Sequence, residues 1–583
     1  MDIFKRLGWF FKKEKKSYLI GVAGLLIVAI LQLIPPRIIG IVVDEIETET
    51  LTQQSLLQWL IILTSTAIIQ YLLRYMWRVR IWGNAAKLEQ IVRRQLYDHF
   101  TNMDNVFFQK YRAGDLMAHA TNDLRGLRMV AGGGILTMAD AISVGLTTLI
   151  AMMFIVDLRL TLIAVIPLPF LALTSRLLGR RLHLRFRDAQ AAFSQLNDKV
   201  QESIQGIKVI KTFGQEKEDV DEFINQTDNV VQKNKSVYKI DSLFDPAITF
   251  IMGISYFLTI LVGGLLITGN EISIGDFITF INYIGMLVWP MFAIGRLFNI
   301  IERGSASYDR IENLLREDTA INERQGAIEE PVSGTLRFDI DSFSYPDDEV
   351  VALHHVKFDI DQGQTLGIVG KTGAGKTTIM KLLLREYDTY KGSINYGGYD
   401  IKDYTLDALL KRVGYVPQDN YLFSNTIREN IRFADPTVPQ EAVEAAAKLA
   451  DIHQDILDLP EGYDTKVGER GVSLSGGQKQ RISIARAILI NPELMILDDS
   501  LSAVDAKTEE IILSGLKAIR QNQTTIIAAH RISSVMHAEE IVVIKEGTIV
   551  ERGTHGDLLE QGGWYKEMYE QQQLERKLEG EDY

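Results

Sequence analysis

The sequence predicts a multi-domain chain: six membrane-spanning helices followed by a soluble α/β domain of the phosphate-loop type. Three observations lead there. Six long apolar segments crowd the first half of the chain. Residues 370–377 read GKTGAGKT, which fits G-x-x-x-x-G-K-[ST]. The apolar run 494–497 ends in Asp498 and Asp499, the pattern of a buried parallel strand that delivers carboxylates to a metal-phosphate site at its C-terminal end.

Composition agrees with such a division. The 583 residues leave room for several domains, and 46% are hydrophobic although 23% are charged. A mean hydropathy of +0.03 is the average expected when an apolar membrane half joins a polar soluble half. A net charge of −13 argues against a nucleic-acid partner, which would call for a basic surface. The absence of cysteine excludes disulfides, thiolate metal sites and cysteine nucleophiles, and with them a cysteine-protease domain. The first apolar run has no small-residue cleavage site and continues to spanning length, so no cleavable signal is expected.

The expected spans are 19–43, 56–73, 130–156, 160–175, 246–270 and 277–295, against the ~20 apolar residues that cross a bilayer. Charge gives their direction. The basic, amphipathic start, 1–16, is expected to lie along the cytoplasmic face of the cell membrane as an interfacial helix. The first inter-span loop carries Asp44, Glu45, Glu47 and Glu49 without Lys or Arg and reads as external, as do the short hinges 157–159 and 271–276. Segments 74–128 and 176–244 are rich in Lys and Arg and read as cytoplasmic, so both termini and the soluble domain are expected there. The membrane domain then covers 17–318, a polar linker 319–335, the soluble domain 336–571 and a tail 572–583 whose last residues, GEDY, read as disordered.

In the phosphate loop, Gly370, Lys371, Thr372, Gly373, Ala374, Gly375, Lys376, Thr377 and Thr378 bring backbone N–H groups to phosphate oxygens at a helix N-terminus. Lys376 is expected to reach the β- and γ-phosphates, and Thr377 to ligate Mg²⁺. The motif follows an apolar strand, 365–369, and precedes a helical run, 378–384, which is the context it requires.

Leu474-Ser475-Gly476-Gly477-Gln478, taken with this loop and the 494–499 segment, resembles the nucleotide-binding domain of an ATP-binding-cassette (ABC) transporter. The resemblance covers essentially the whole chain and implies ATP and Mg²⁺ as ligands. It implies that Tyr345 stacks on adenine, that Gln418 senses Mg²⁺ and the γ-phosphate, and that Asp498 holds Mg²⁺. It implies that Ser475, Gly476, Gly477 and Gln478 cap ATP bound by a partner chain, that Asp505 lies in the D-loop crossing a dimer interface, and that His530 contacts the γ-phosphate. Segment 465–471, TKVGERG, resembles a loop specific to exporters, while 107–124 resembles the family's first coupling region and 202–216 the helix after the second.

One residue departs from the family pattern. Asp499 stands where a catalytic glutamate is usual. The resemblance is then to the Asp-bearing, degenerate-site subunit of heterodimeric bacterial multidrug exporters. It implies a second ABC half-transporter subunit with the glutamate as partner, and efflux of hydrophobic compounds from the cytoplasm. Two alternatives stay open: a lipid or peptide flippase on the same scaffold, and a non-hydrolytic regulatory ATP-binding subunit. Trp77, Phe154, Phe170, Phe280, Tyr283 and Trp289 are candidates to line a substrate cavity or to face lipid and neighbouring helices. Asp140, a charge inside a span, either faces a cavity or pairs with a basic residue.

Overall fold

The computed structural model describes residues 2–346, 348–468 and 474–578. It divides into two compact units: Met1–Thr101 with Arg112–Glu317, and Asn102–Tyr111 with Asp318–Tyr583.

The first unit is helical. Among the described residues, six helices are long and apolar enough to cross a membrane: Lys15–Glu47, Gln53–Thr101, Ala113–Val156, Leu158–Gln205, Glu216–Thr268 and Ile274–Leu315, here spans 1 to 6. Each contains or overlaps one expected apolar run, and most extend well beyond it into polar sequence. Two short amphipathic helices, Asp2–Arg6 and Gly8–Lys13, precede them. Ile3, Leu7 and Phe10 are fully buried, and Arg6 reaches Asp309 and Glu312 on span 6.

Span 1 breaks near Pro35 and Pro36, which have no N–H to give the preceding turn. The chain answers from neighbouring helices: Gln70 Nε2 donates to the Leu31 carbonyl at 3.1 Å, and the Tyr283 hydroxyl to that of Leu33 at 2.9 Å. Spans 1 and 6 then meet backbone to backbone. A Cβ on Gly275 would fall 2.0 Å from the Gly40 carbonyl oxygen, so only glycine fits there. Arg37 pairs with Asp276 at this crossing, and Asp44 accepts from the Ser273 hydroxyl at 2.7 Å and the Gly275 amide at 2.6 Å.

The six aromatic candidates do not share one environment. Trp77, Phe280 and Tyr283 are buried between helices, whereas Phe154, Phe170 and Trp289 face outward from the single chain. Asp140 has no cationic partner among the described residues; the Trp289 indole N–H donates to its Oδ2 at 2.8 Å.

The second unit carries two sheets. A small antiparallel sheet has the order β2-β1-β4-β5, from β1 (Leu336–Ser344), β2 (Val351–Ile360), β4 (Lys391–Tyr396) and β5 (Tyr399–Asp400). The larger sheet is β10-β9-β3-β8-β7-β6. Its strands are β3 (Thr365–Gly370), β6 (Val413–Val416), β7 (Leu494–Asp498), β8 (Thr524–Ala529), β9 (Glu540–Lys545) and β10 (Thr548–Gly553). All its pairings are parallel except β10 with β9. Strands β3, β7 and β8 are apolar and almost wholly buried, as expected where both faces of a parallel sheet are covered.

Segment Asn102–Tyr111 belongs to this unit although it lies between spans 2 and 3 in sequence. Gln109 Nε2 donates to the Tyr387 hydroxyl at 2.6 Å, and Asp104 accepts from the Thr319 hydroxyl at 2.9 Å. The final helix, Trp564–Leu578, runs past residue 571 into the expected tail, and GEDY lies outside the described residues.

Candidate nucleotide site

Register brings the chemistry together. Strands β3, β8 and β7 are neighbours, with Val369 opposite Ala529 and Asp498 opposite Ala528. The residues that follow each strand therefore emerge at one level, at the C-terminal edge where α/β sheets bind ligands. These are the phosphate loop, His530 and Asp499.

Within the loop, two glycines are fixed by geometry. A Cβ on Gly370 would lie 2.3 Å from the Ile544 carbonyl oxygen, and Gly375 has φ of 110°, a conformation L side chains rarely adopt. The helix Lys376–Leu383 begins directly after it. Lys376 is buried, and its ammonium donates to the Gly370 carbonyl at 2.8 Å and that of Lys371 at 3.2 Å. Burial lowers its pKa from the ordinary lysine value, opposed by Asp499 and Asp498.

His530 Nε2 sits 3.3 Å from the Lys376 ammonium. Burial, and then the lysine charge, lower the imidazole pKa, so the ring is held neutral and accepts from Lys376. The Thr377 hydroxyl donates to Asp498 Oδ1 at 3.2 Å. Asp498 Oδ2 is buried with no hydrogen-bond partner among the described residues, and burial raises the carboxyl pKa. A hydroxyl beside a buried carboxylate with one unused oxygen fits Mg²⁺, which takes one or two carboxylates and completes its shell with water and phosphate.

Asp499 has φ of 47°, and its amide donates to the Ala528 carbonyl at 2.8 Å. Gln418 Nε2 reaches its Oδ2 at 3.4 Å. Tyr345 follows β1, and its hydroxyl lies 2.8 Å from that of Thr378. Its ring meets Tyr387 edge-on at 5.4 Å. The structure thus gathers the phosphate loop, Tyr345, Gln418, Asp498, Asp499 and His530.

It does not gather the signature residues with them. Ser475 caps the helix Gly476–Leu489 in a reciprocal box with Gln478, at 3.2 and 3.1 Å. None of these residues bonds to the phosphate loop among the described residues; Gly477 packs instead against the Ala503 carbonyl. Asp505 caps the helix Ala506–Ile519 by accepting from the Thr508 amide at 3.0 Å. Of the exporter-like loop, Thr465 and Val467 bond to segment 425–427, while Glu469–Gly471 lie outside the described residues.

Three supporting residues escaped the sequence reading. Gln572, on the last helix, donates to the His530 carbonyl at 2.8 Å and accepts from the Ile532 amide at 2.9 Å, which fixes the turn carrying the histidine. Glu509 is buried behind that turn and takes Arg531 at 3.2 Å. Arg385 is 1% exposed and donates to carbonyls of Tyr404 and Asn322, which ties the linker to the domain. No motif marks any of them.

The family model described as ABC transporter transmembrane region matches residues 18–291, and that described as ABC transporter matches 353–502. The chain is 44% identical, over 99% of its length and 100% of the relative, to the multidrug resistance-like ATP-binding protein MdlA of Buchnera aphidicola subsp. Schizaphis graminum. This chain belongs to the ABC transporter family. A similar relative of this ABC transporter, 43% identical over 99% of each chain, is the probable multidrug resistance ABC transporter ATP-binding/permease protein YheI of Bacillus subtilis. A solved bacterial Atm1-family ABC exporter with ATP bound superposes with a TM-score of 0.79 at 25% identity, covering 96% of this chain and 99% of the other. The ABC transporter described here is a multi-pass membrane exporter with a transmembrane domain followed by a nucleotide-binding domain, and its transport is coupled to an ATPase.

Proposed function

We propose that the chain is one subunit of a heterodimeric ATP-driven multidrug exporter whose own Walker site binds MgATP and hydrolyses it slowly. The observation that carries this reading is Asp499. Phosphoryl transfer depends on positioning, including a residue that orients the attacking water. Asp499 hangs from a backbone held in place by the hydrogen bond its N–H donates to the Ala528 carbonyl. A side chain one methylene shorter than glutamate sets the carboxylate back by roughly 1–1.5 Å, and a misplacement of about 1 Å can cost about a hundredfold in rate.

Binding is supported by the parts that surround it. Lys376 serves the β- and γ-phosphates, Thr377 and Asp498 hold Mg²⁺, Tyr345 stacks on adenine, and His530 and Gln418 meet the γ-phosphate. Mg²⁺ supplies charge neutralisation on the phosphate oxygens. Ser475, Gly476, Gly477 and Gln478 cap a nucleotide held by the partner, consistent with their making no bond to the phosphate loop among the described residues. With the nucleotide domain and both termini in the cytoplasm, closure of the two nucleotide domains drives export of hydrophobic compounds. The names of the relatives support multidrug cargo.

Site-resolved trapping in the purified two-subunit complex tests this. ATP is expected to persist at this chain's Walker site after the other site has turned over. Equal hydrolysis at the two sites would overturn it.

A further inference from the structure

The amphipathic start of the chain leaves an apolar cavity of about 390 Å³ against the helix bundle. Its walls include Phe11 on the second short helix, Tyr18 and Val22 on span 1, and Met138, Ile142 and Ser143 on span 3. The walls are pinned in place. The Phe11 ring meets that of Tyr18 edge-on at 5.2 Å, and the Tyr18 hydroxyl donates to the Ala131 carbonyl at 3.0 Å.

Beside this cavity the surface changes sign. Lys12, Lys13, Lys15 and Lys16 are all exposed, and none pairs with a carboxylate among the described residues. Their neighbours are satisfied: Arg6 takes Asp309 and Glu312, and Glu14 takes Lys87 at 2.5 Å. Four cations thus crowd five residues beside an apolar wall, an arrangement that suits an amphiphilic anion. An amphipathic helix buries its apolar face ~5–10 Å into the boundary between headgroups and acyl chains. A helix seated at that depth turns its apolar side to acyl chains and its basic side chains to the phosphates.

We propose that this cavity holds one acyl chain of an anionic glycerophospholipid, whose phosphate is held by Lys12, Lys13, Lys15 and Lys16. Basic clusters on amphipathic helices and basic pockets between spans recognise acidic headgroups. A free phosphate would leave the cavity unfilled, and a zwitterionic lipid would leave the lysines without a net anion. None of these residues belongs to the nucleotide site, so the lipid site stands or falls independently of the proposal on Asp499.

The test uses the assembled transporter in nanodiscs of equal parts phosphatidylglycerol and phosphatidylcholine, with retained lipids counted by native mass spectrometry. The unmodified protein should keep phosphatidylglycerol over phosphatidylcholine by ~tenfold or more. The K12Q/K13Q/K15Q/K16Q variant should fall to near parity. Ser143→Leu, which fills the cavity and leaves the lysines, should lose most of the preference, with ATP binding unchanged as the check on folding. If that variant does not assemble, a phosphatidylglycerol with a diazirine on its acyl chain should label the peptide spanning 135–143 in the unmodified protein. Parity in the unmodified protein would overturn the proposal. So would full preference in Ser143→Leu, which would mean headgroup attraction with no seated chain. Labelling of a partner subunit in place of 135–143 would mean that protein covers the cavity, and would overturn it too.

Discussion

Gln418 Nε2 and Asp499 Oδ2 lie 3.4 Å apart, at the long end of hydrogen bonding. The loop glutamine therefore reaches this carboxylate without holding it tightly. The backbone beneath Asp499 is the firmer part, with its amide bonded to Ala528 at 2.8 Å and the Ser502 hydroxyl donating to its carbonyl at 2.9 Å. A longer side chain at this position would start from the same fixed point and carry its carboxylate further from the backbone.

Asp499→Glu should accordingly speed hydrolysis at this chain's Walker site by roughly ten- to a hundredfold. Single-turnover measurement of nucleotide trapped at that site checks this. No increase, with MgATP still bound, would show that something other than the missing methylene limits the site.

The proposed asymmetry makes a prediction about the partner. In the co-expressed complex, Glu→Gln in the partner's Walker B motif should remove most ATPase activity, whereas Asp499→Asn should lower it much less. Steady-state phosphate release from both variants decides the matter. A homodimer of this chain that matches the complex in hydrolysis and transport would contradict the proposed pairing.

Gln572 clamps the turn that carries His530 from both sides. Replacing it with leucine leaves a carbonyl and an amide unpaired and loosens the histidine. Gln572→Leu should reduce turnover of the assembled complex by about tenfold with little change in ATP affinity, as for an interaction used mainly in the transition state. Loss of binding together with turnover would instead point to collapse of the site.

Arg385 is a buried cation satisfied by main-chain carbonyls and by Asp388 at 3.1 Å. Arg385→Met should destabilise the nucleotide domain by ~3–5 kcal/mol, because the aspartate and the carbonyls lose their donor. Denaturant unfolding of the intact transporter, followed by nucleotide-domain fluorescence, measures it.

Asp140 meets only an indole N–H among the described residues, so its charge is available to a cationic ligand. Asp140→Asn should weaken transport of cationic compounds several-fold more than that of neutral ones, with ATP binding intact. Equal losses for both, with poor expression, would make the carboxylate structural.

The spans were legible because crossing a bilayer needs a run of apolar residues whose length cannot be disguised. The strand ends were legible because phosphate chemistry ties residue types to fixed spacings: the loop at 370–377 leads from β3 into a helix, and Asp498 ends β7 with Asp499 directly after it. Gln572 and Glu509 were not, since their roles depend on a turn built from distant parts of the chain. Arg385 reads in sequence as an ordinary surface cation, and only tertiary burial reveals its carbonyl partners. Grouping Asn102–Tyr111 with the second unit likewise rests on bonds such as Gln109 to Tyr387, which link residues nearly half the chain apart. The final helix outran the expected boundary because the polar sequence after residue 571 carries no helix-stopping residue before Leu578.

The crossing of Gly40 and Gly275 bears on how such a machine can move. Two backbones in van der Waals contact, latched by Arg37 to Asp276 and by Asp44 to Ser273, leave no room to slide or to roll. Spans 1 and 6 must then travel as a single lever. Any opening of the transport path has to be absorbed elsewhere in the bundle, by helices whose side chains can be exchanged without tearing such a seam.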